Sequence, residues 1–180
     1  MNAMNTQLRE ILELVRKAKR PPGEELPVGA TADQIEHLEQ ALGFCVPEEL
    51  KVWLACCNGP CVGPGGIAGV QTKRKAQDIE ALLGNFPKWK RLRWIPVAGD
   101  GSGNYYVMTT EGDHHPIIFV DTMEDAASPA YVVASNLWFF FIFYLERDAG
   151  KQGWPFQREI VTMKDPNISR HGDFRLPWET

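Results

Sequence analysis

A glycine-rich stretch near the middle of the chain, GDGSGN at residues 99–104, contains residue types that bind calcium or phosphate. Counted from Asp100, this stretch and the residues after it fit the ligand spacing of an EF-hand calcium loop. The sixth position, which requires glycine, is Tyr105, and the flanks WIPVA and YYVM alternate like strands, whereas an EF-hand needs helices. The calcium interpretation therefore fails on both counts. Its ligand positions would be Asp100, Ser102, Asn104, Tyr106, Met108 and Glu111.

The same stretch does not match a nucleotide-binding loop. Its glycines follow the spacing GxGxG, and the residues after them do not start a helix that would hold a pyrophosphate. No Lys-Ser or Lys-Thr pair follows, which excludes a P-loop. We therefore expect a tight turn leading into a strand, with Asp100 and Asn104 bonding local backbone amides.

The four cysteines lack the spacing of a zinc site. No two of them form a CxxC pair, and adjacent cysteines on a helix point in different directions. We expect reduced, mostly buried thiols and no bound metal or cofactor. The cysteines are Cys45, Cys56, Cys57 and Cys61.

Two histidines, His114 and His115, follow Asp113 at a predicted turn. No Ser or Cys motif accompanies them as a nucleophile would require, so we expect solvated turn histidines and no enzymatic activity. A small metal-dependent hydrolase that uses Asp100, His114 and His115 is the alternative from the enzyme class.

The basic and aromatic stretch KWKRLRW at residues 88–94 has residue types that stack on bases and neutralise phosphates. The chain as a whole carries a formal net charge of -4, whereas a nucleic-acid binder normally presents a broad basic patch. We therefore expect a solvated strand edge here and no nucleic-acid partner.

The distribution of charge gives a stronger signal. Between Trp94 and Glu146 there is no Lys or Arg, and the acids give this segment a formal charge of -7, against +3 for the rest of the chain. Acids on one side of a sheet would attract a cationic partner, or they would only keep the turns soluble. The partner-binding candidates are Asp100, Glu111, Asp113, Asp121, Glu124 and Asp125, with Tyr105 or Tyr106 as an aromatic anchor.

Periodicity and turn signals predict the secondary structure. Apolar residues at helical spacing predict a helix that ends before Pro21, and a capping box at Thr31 and Gln34 begins a second helix that ends at Gly43. A third helix should begin at Pro47, and QDIEALLGN should form a short fourth one. Residues 105–110 and 117–121 alternate like two strands of a hairpin.

The apolar run LWFFFIFYL at residues 137–145 is ambiguous, because its aromatic residues favour a strand although Ser135 before it would cap a helix. Propensity alone favours the strand. The run has half of the about 20 residues of a membrane-spanning helix, and the N-terminus lacks the layout of a secretory signal. We expect one cytoplasmic domain without a membrane partner, in an oligomeric state that the sequence does not fix.

Three pieces of the chain together resemble the Smi/Knr-type domain of the SUKH superfamily. They are ATADQIEHLEQALGFCVPEELKVWLACCNG, the hairpin IPVAGDGSGNYYVM with the following HPIIFVDTMED, and the end WPFQREIVTMKDPNISRHGDFRLPWE. The pieces span most of residues 30–180. The resemblance makes residues 26–180 the SUKH-like domain, with residues 1–25 as an N-terminal helix and linker of the same unit.

The resemblance implies an α+β fold, in which helices pack on a twisted, mostly antiparallel sheet and LWFFFIFYL is a helix capped by Ser135. It also implies a non-enzymatic protein-binding domain, such as an immunity protein that neutralises a basic nuclease toxin, or a regulatory scaffold without a toxin partner. The chain departs from the family pattern at Asn104, where an acid is expected.

Overall fold

Residues 3–179, which the computed structural model describes, form an α+β fold of seven α-helices and one four-stranded antiparallel sheet. The helices are α1 (Ala3–Lys17), α2 (Ala32–Leu42), α3 (Glu48–Cys56), α4 (Ile79–Asn85), α5 (Pro87–Arg91), α6 (Leu137–Asp148) and α7 (Arg158–Lys164). The strands are β1 (Trp94–Gly99), β2 (Tyr105–Thr109), β3 (Ile117–Val120) and β4 (Tyr131–Ala134), and they lie side by side in chain order.

The second helix begins and ends as its sequence predicts. The Thr31 hydroxyl accepts the Gln34 backbone N–H at 3.2 Å, and the Gln34 side chain accepts the Thr31 backbone N–H at 2.9 Å. At the other end, Gly43 has a φ of 79°, a left-handed conformation that glycine adopts without steric cost. The third helix begins at Glu48, so Pro47 is its N-cap residue and not, as predicted, its first helical residue.

The apolar run of residues 137–145 lies in α6, so the strand that propensity favours is wrong. The helix packs against α1, α3 and β4, and almost every side chain of the run is buried. A helix covered on all sides shows no amphipathic pattern, which is why the run resembles a buried strand. Among residues 3–179, neither this helix nor another has both the length and the apolar character needed to cross a membrane.

The N-cap of α6 is Asn136, not Ser135. Its side-chain oxygen accepts the backbone N–H of Phe139 at 3.0 Å. Ser135 instead donates its backbone N–H and its hydroxyl to the fully buried carboxylate of Asp165, at 2.7 and 2.6 Å. Ser135 therefore ties the start of α6 to the segment that follows α7.

The basic stretch KWKRLRW forms most of α5 and the turn into β1, so the predicted strand edge is wrong. Pro87 at the first turn favours the helix, and Trp89 anchors it in the core. Trp89 stacks on Phe86 at 4.3 Å, and its indole N–H donates to the Ala126 carbonyl in the loop before β4. Trp89 thereby connects α5 to the acidic loop between β3 and β4.

Candidate protein-binding surface

The strand register divides the six candidate acids between the two ends of the sheet. Tyr105 lies opposite both Gly99 and Val120, so the loop after β1 and the loop after β3 share one end. The turn between β2 and β3, at residues 110–116, lies at the other end, about 15 Å away for a strand of this length. The expected single acidic face therefore does not form.

Four acids gather at the first end, which we call the acidic end, and two lie at the second, which we call the histidine end. The acidic end contains Asp100, Asp121, Glu124 and Asp125. The histidine end contains Glu111 and Asp113, beside His114 and His115.

Asp100 organises the glycine-rich turn, as its sequence predicts. One carboxylate oxygen accepts the backbone N–H groups of Ser102 and Asn104, at 2.7 and 3.0 Å. The other accepts the Asn104 side-chain amide at 3.1 Å. Three hydrogen bonds to Asp100 thus hold the turn, and they fix the position of the Asp100 carboxylate.

Asn104 links this turn to the loop after β3, so the prediction that its side chain bonds a local backbone amide is wrong. Its side-chain oxygen accepts the backbone N–H of Thr122 at 3.1 Å, and the Thr122 hydroxyl donates to the Gly103 carbonyl at 2.9 Å. The Asn104 amide donates to Asp100 and accepts from Thr122 at once, whereas an ionised carboxylate only accepts. An ionised carboxylate at position 104 could therefore not donate to Asp100.

The loop after β3 is also held by its own acids. Asp121 accepts the backbone N–H of Met123, and Asp125 accepts that of Ala127, both at 2.9 Å. Such local bonds fix a turn while leaving the carboxylate charge in place. Glu124 is exposed between them and belongs to no ion pair formed by the described residues.

The two tyrosines of β2 point to opposite faces of the sheet. Tyr105 is partly buried against Phe86 and Trp89, and burial, with Asp100 second, raises the pKa of its phenol. Tyr106 is only 3% exposed and packs beneath α6 against Phe140, at 5.0 Å between ring centroids. Tyr106 therefore belongs to the core, and its expected role as a surface anchor is wrong.

A row of aromatic rings leads from Tyr106 to the surface. Phe119 pairs with Tyr106 across the strands and lies 5.3 Å from the ring of Tyr131 on β4. Phe156 covers the edge of Tyr131 at 5.7 Å and is 55% exposed. Burial raises the pKa of Tyr131, Arg147 opposes this shift, and Asp100 and Asp121 add to it. The row therefore borders the acidic end.

The outer part of this row, which we call the aromatic ridge, consists of Phe119, Tyr131 and Phe156, and no sequence pattern predicted it. The three residues come from separate segments and meet only in the folded chain. One local signal was available, because Phe156, Ile160 and Met163 have the spacing of an apolar helical stripe.

The histidine end contains a cleft of about 240 Å³ with several titratable side chains. The rings of His114 and His171 approach edge to face at 6.0 Å, and burial lowers the pKa of both His115 and His171. Burial also raises the pKa of Glu49, at the start of α3, to about 7. The cleft thus brings together groups whose charged forms are disfavoured.

The hydrolase alternative lacks its site in this arrangement. Asp100 lies at the acidic end, whereas His114 and His115 lie at the opposite end of the sheet. Within residues 3–179, no group of three or more His, Cys, Asp or Glu side chains is placed to hold a metal ion.

All four cysteines are free thiols, but they are less buried than expected. Cys45 and Cys56 are exposed, Cys61 is partly exposed and only Cys57 is buried. Burial raises the pKa of the Cys57 thiol to about 11, which makes it unreactive near neutral pH.

The basic stretch has no free aromatic face on which a base would stack. Trp89 is fully buried and Trp94 is 7% exposed, while the guanidinium of Arg93 lies 4.5 Å above the Phe44 ring. The lysines on either side of Trp89 are exposed. They make α5 a basic neighbour of the acidic end.

Comparison with known families gives one match. The family model described as SMI1 / KNR4 family (SUKH-1) matches residues 29–142, which is more than half of the chain. A search of the curated proteins found no match.

Proposed function

Because the chain belongs to the SMI1 / KNR4 family (SUKH-1), we propose that it is an immunity-type binding domain that neutralises a cognate toxin in the cytoplasm. It acts by stoichiometric binding and catalyses no reaction of its own. Its partner is a basic protein, such as a nuclease toxin with a positively charged substrate groove.

The observation that carries this proposal is the acidic end of the sheet. Its four carboxylates come from two loops that Asn104 and Thr122 join. Fixed charges of one sign raise the association rate with a partner of opposite charge and lose this effect at high salt. A nuclease groove that holds phosphates has the complementary sign.

The basic side chains of α5 favour one orientation of a basic partner as it approaches the acidic end. Trp89 joins α5 to the loop after β3, so Lys88 and Lys90 lie near the acidic end without forming ion pairs among the described residues. A basic toxin is attracted to the acidic end and repelled by α5, which disfavours wrong orientations.

Binding at the acidic end supports a mechanism of direct competition. The acidic loops would occupy the groove in which the toxin otherwise holds phosphates, so that this chain and the nucleic-acid substrate compete for the same positive charges. Inhibition should then be one-to-one and should weaken as the substrate concentration rises.

Two double variants test the role of the acidic end. Glu124→Gln/Asp125→Asn removes two charges there, and the new amide at position 125 keeps an oxygen for the Ala127 N–H. Glu111→Gln/Asp113→Asn removes the same two residue types, also exposed, from the histidine end. Because both variants change the net charge equally, a difference between them reports the location of the interface.

The partner is first identified by pull-down from the source lysate at low and high salt, and by the toxin gene expected beside the gene for this chain. Association with the purified toxin is then followed by stopped-flow fluorescence. We expect the first variant to slow association several-fold, with a shallower salt dependence, and the second to match the wild type. Equal effects of the two variants would remove the acidic end from the interface, and a wild-type protein that leaves the toxin active would overturn the proposed function.

A further inference from the structure

Three large apolar side chains are exposed at the outer end of the aromatic ridge and beyond it. Phe156 is 55%, Ile160 38% and Met163 82% exposed. Their spacing of four and three residues puts them on one side of α7 and of the turn before it. The opposite side of α7 is buried through Val161, so this helix is apolar on two sides.

The apolar stripe is continuous with the aromatic ridge. Phe156 contacts the ring of Tyr131 at 5.7 Å, and Tyr131 in turn lies 5.3 Å from Phe119. Exposed apolar residues that stand singly are common, whereas a connected row of this kind marks an interaction surface. Aromatic residues and methionine are enriched in the cores of protein interfaces.

The charges around this surface differ between its two sides. On the side of α6 and α7, Lys151 and Lys164 are each paired with Glu146 at 2.6 Å, and Arg147 is exposed. On the side of β3, Asp121 follows Phe119 by two residues, and Asp100 and Asp121 both favour the neutral form of Tyr131, an effect that Arg147 opposes. The border of the ridge on the side of β3 is therefore acidic.

We propose that the aromatic ridge and the stripe of Ile160 and Met163 anchor the toxin, and that they receive an apolar segment of it flanked by Lys or Arg side chains. This inference rests on the proposed function, because it names the second half of the same interface. A basic partner gains from the acidic border, whereas a second copy of this chain adds another formal charge of -4.

The two halves of the interface affect different rate constants. Long-range charges at the acidic end act on association, whereas desolvated apolar contacts act mainly on dissociation. A substitution at the ridge should therefore leave the association rate and its salt dependence unchanged, and should shorten the lifetime of the complex.

The test compares exposed apolar residues on and off the surface. Met163→Ser is matched by Val28→Ser, because Val28 is 85% exposed in the linker between α1 and α2. Phe156→Ser is the third variant, and thermal unfolding checks that each variant is folded. The probe is the purified toxin domain encoded beside the gene for this chain, and dissociation is followed by surface plasmon resonance.

We expect Phe156→Ser to increase the dissociation rate about tenfold or more and Met163→Ser to increase it several-fold, with Val28→Ser unchanged. If wild type inhibits the toxin and both Phe156→Ser and Met163→Ser dissociate at the wild-type rate, the inference is wrong and the proposed function stands. If wild type does not inhibit, both are overturned. If Phe156→Ser abolishes self-association while toxin kinetics stay unchanged, the occupant is a second copy, which also overturns the inference.

Discussion

Replacing Glu49 by glutamine should stabilise the protein at neutral and alkaline pH and have little effect in mild acid. The carboxylate lies at the cleft of the histidine end and accepts the backbone N–H of Leu137. Burial raises the pKa of Glu49 from 4.5 to about 7, because the ionised form loses its hydration. Glutamine keeps an oxygen for the Leu137 N–H and carries no charge.

The sign and size of the effect follow from proton linkage. The folded pKa is above the unfolded one, so the stability that this group supplies is full below pH 4.5 and is lost as the pH rises through 7. The difference between the two values corresponds to about 3 kcal/mol of unfolding free energy, as an upper bound. For a chain of this size, that is roughly 6–12 °C in melting temperature.

The assay is urea unfolding of wild type and Glu49→Gln at several pH values between about 5 and 8, over which the difference should grow. Burial also lowers the pKa of His115 and His171, which destabilises the fold as the pH falls below 6.5. This effect is present in both wild type and Glu49→Gln, so it cancels in the difference between them. Glu48→Gln is the control, because Glu48 is exposed on the same helical turn. A difference that stays constant across the pH range would refute the reasoning.

Four substitutions probe the fold by thermal or urea unfolding. In Gly84→Ala, the added Cβ in α4 has no atom within 4 Å, so the substitution should stabilise the protein by about 0.5–1 kcal/mol. In Gly29→Ala, the added Cβ would lie 1.8 Å from the Ala55 carbonyl oxygen, so the substitution should destabilise the protein. If Gly29→Ala were the more stable of the two variants, this packing would be contradicted. Tyr144→Phe removes a hydroxyl that donates to the Gly99 carbonyl and accepts the Gly65 N–H, and it should lower the free energy of unfolding by about 1–3 kcal/mol. An unchanged free energy of unfolding would mean that these two backbone groups find other partners. Asn136→Ala removes the cap of α6 and should cost about 1 kcal/mol, and an unchanged midpoint would argue against that cap.

Local signals in the sequence were sufficient where the structure depends on neighbouring residues. The capping box of Thr31 and Gln34, the left-handed Gly43 and the turn that Asp100 organises all lie within a few residues of their partners. The hairpin strands follow from alternation and turn residues in the same way. The family resemblance, not propensity, identified α6 as a helix.

Features that depend on tertiary contacts were not predictable from these signals. The sequence alone does not separate the acids of the β2–β3 turn from those of the other loops, because only the strand register shows which turns share an end of the sheet. The same register decides that Tyr106 points into the core. Phe119, Tyr131 and Phe156 become one surface through contacts between segments that the sequence does not pair.

The packing of α6 shows that the boundary of the family match is not a boundary for folding. The match covers residues 29–142 and so ends within α6, and it leaves out α1, which packs against α6 and buries Ile11 and Val15. A recombinant fragment limited to the matched residues would split that helix and expose its phenylalanine-rich surface to water. We expect such a fragment to aggregate during expression, and a fragment that keeps α1 and all of α6 to remain in solution.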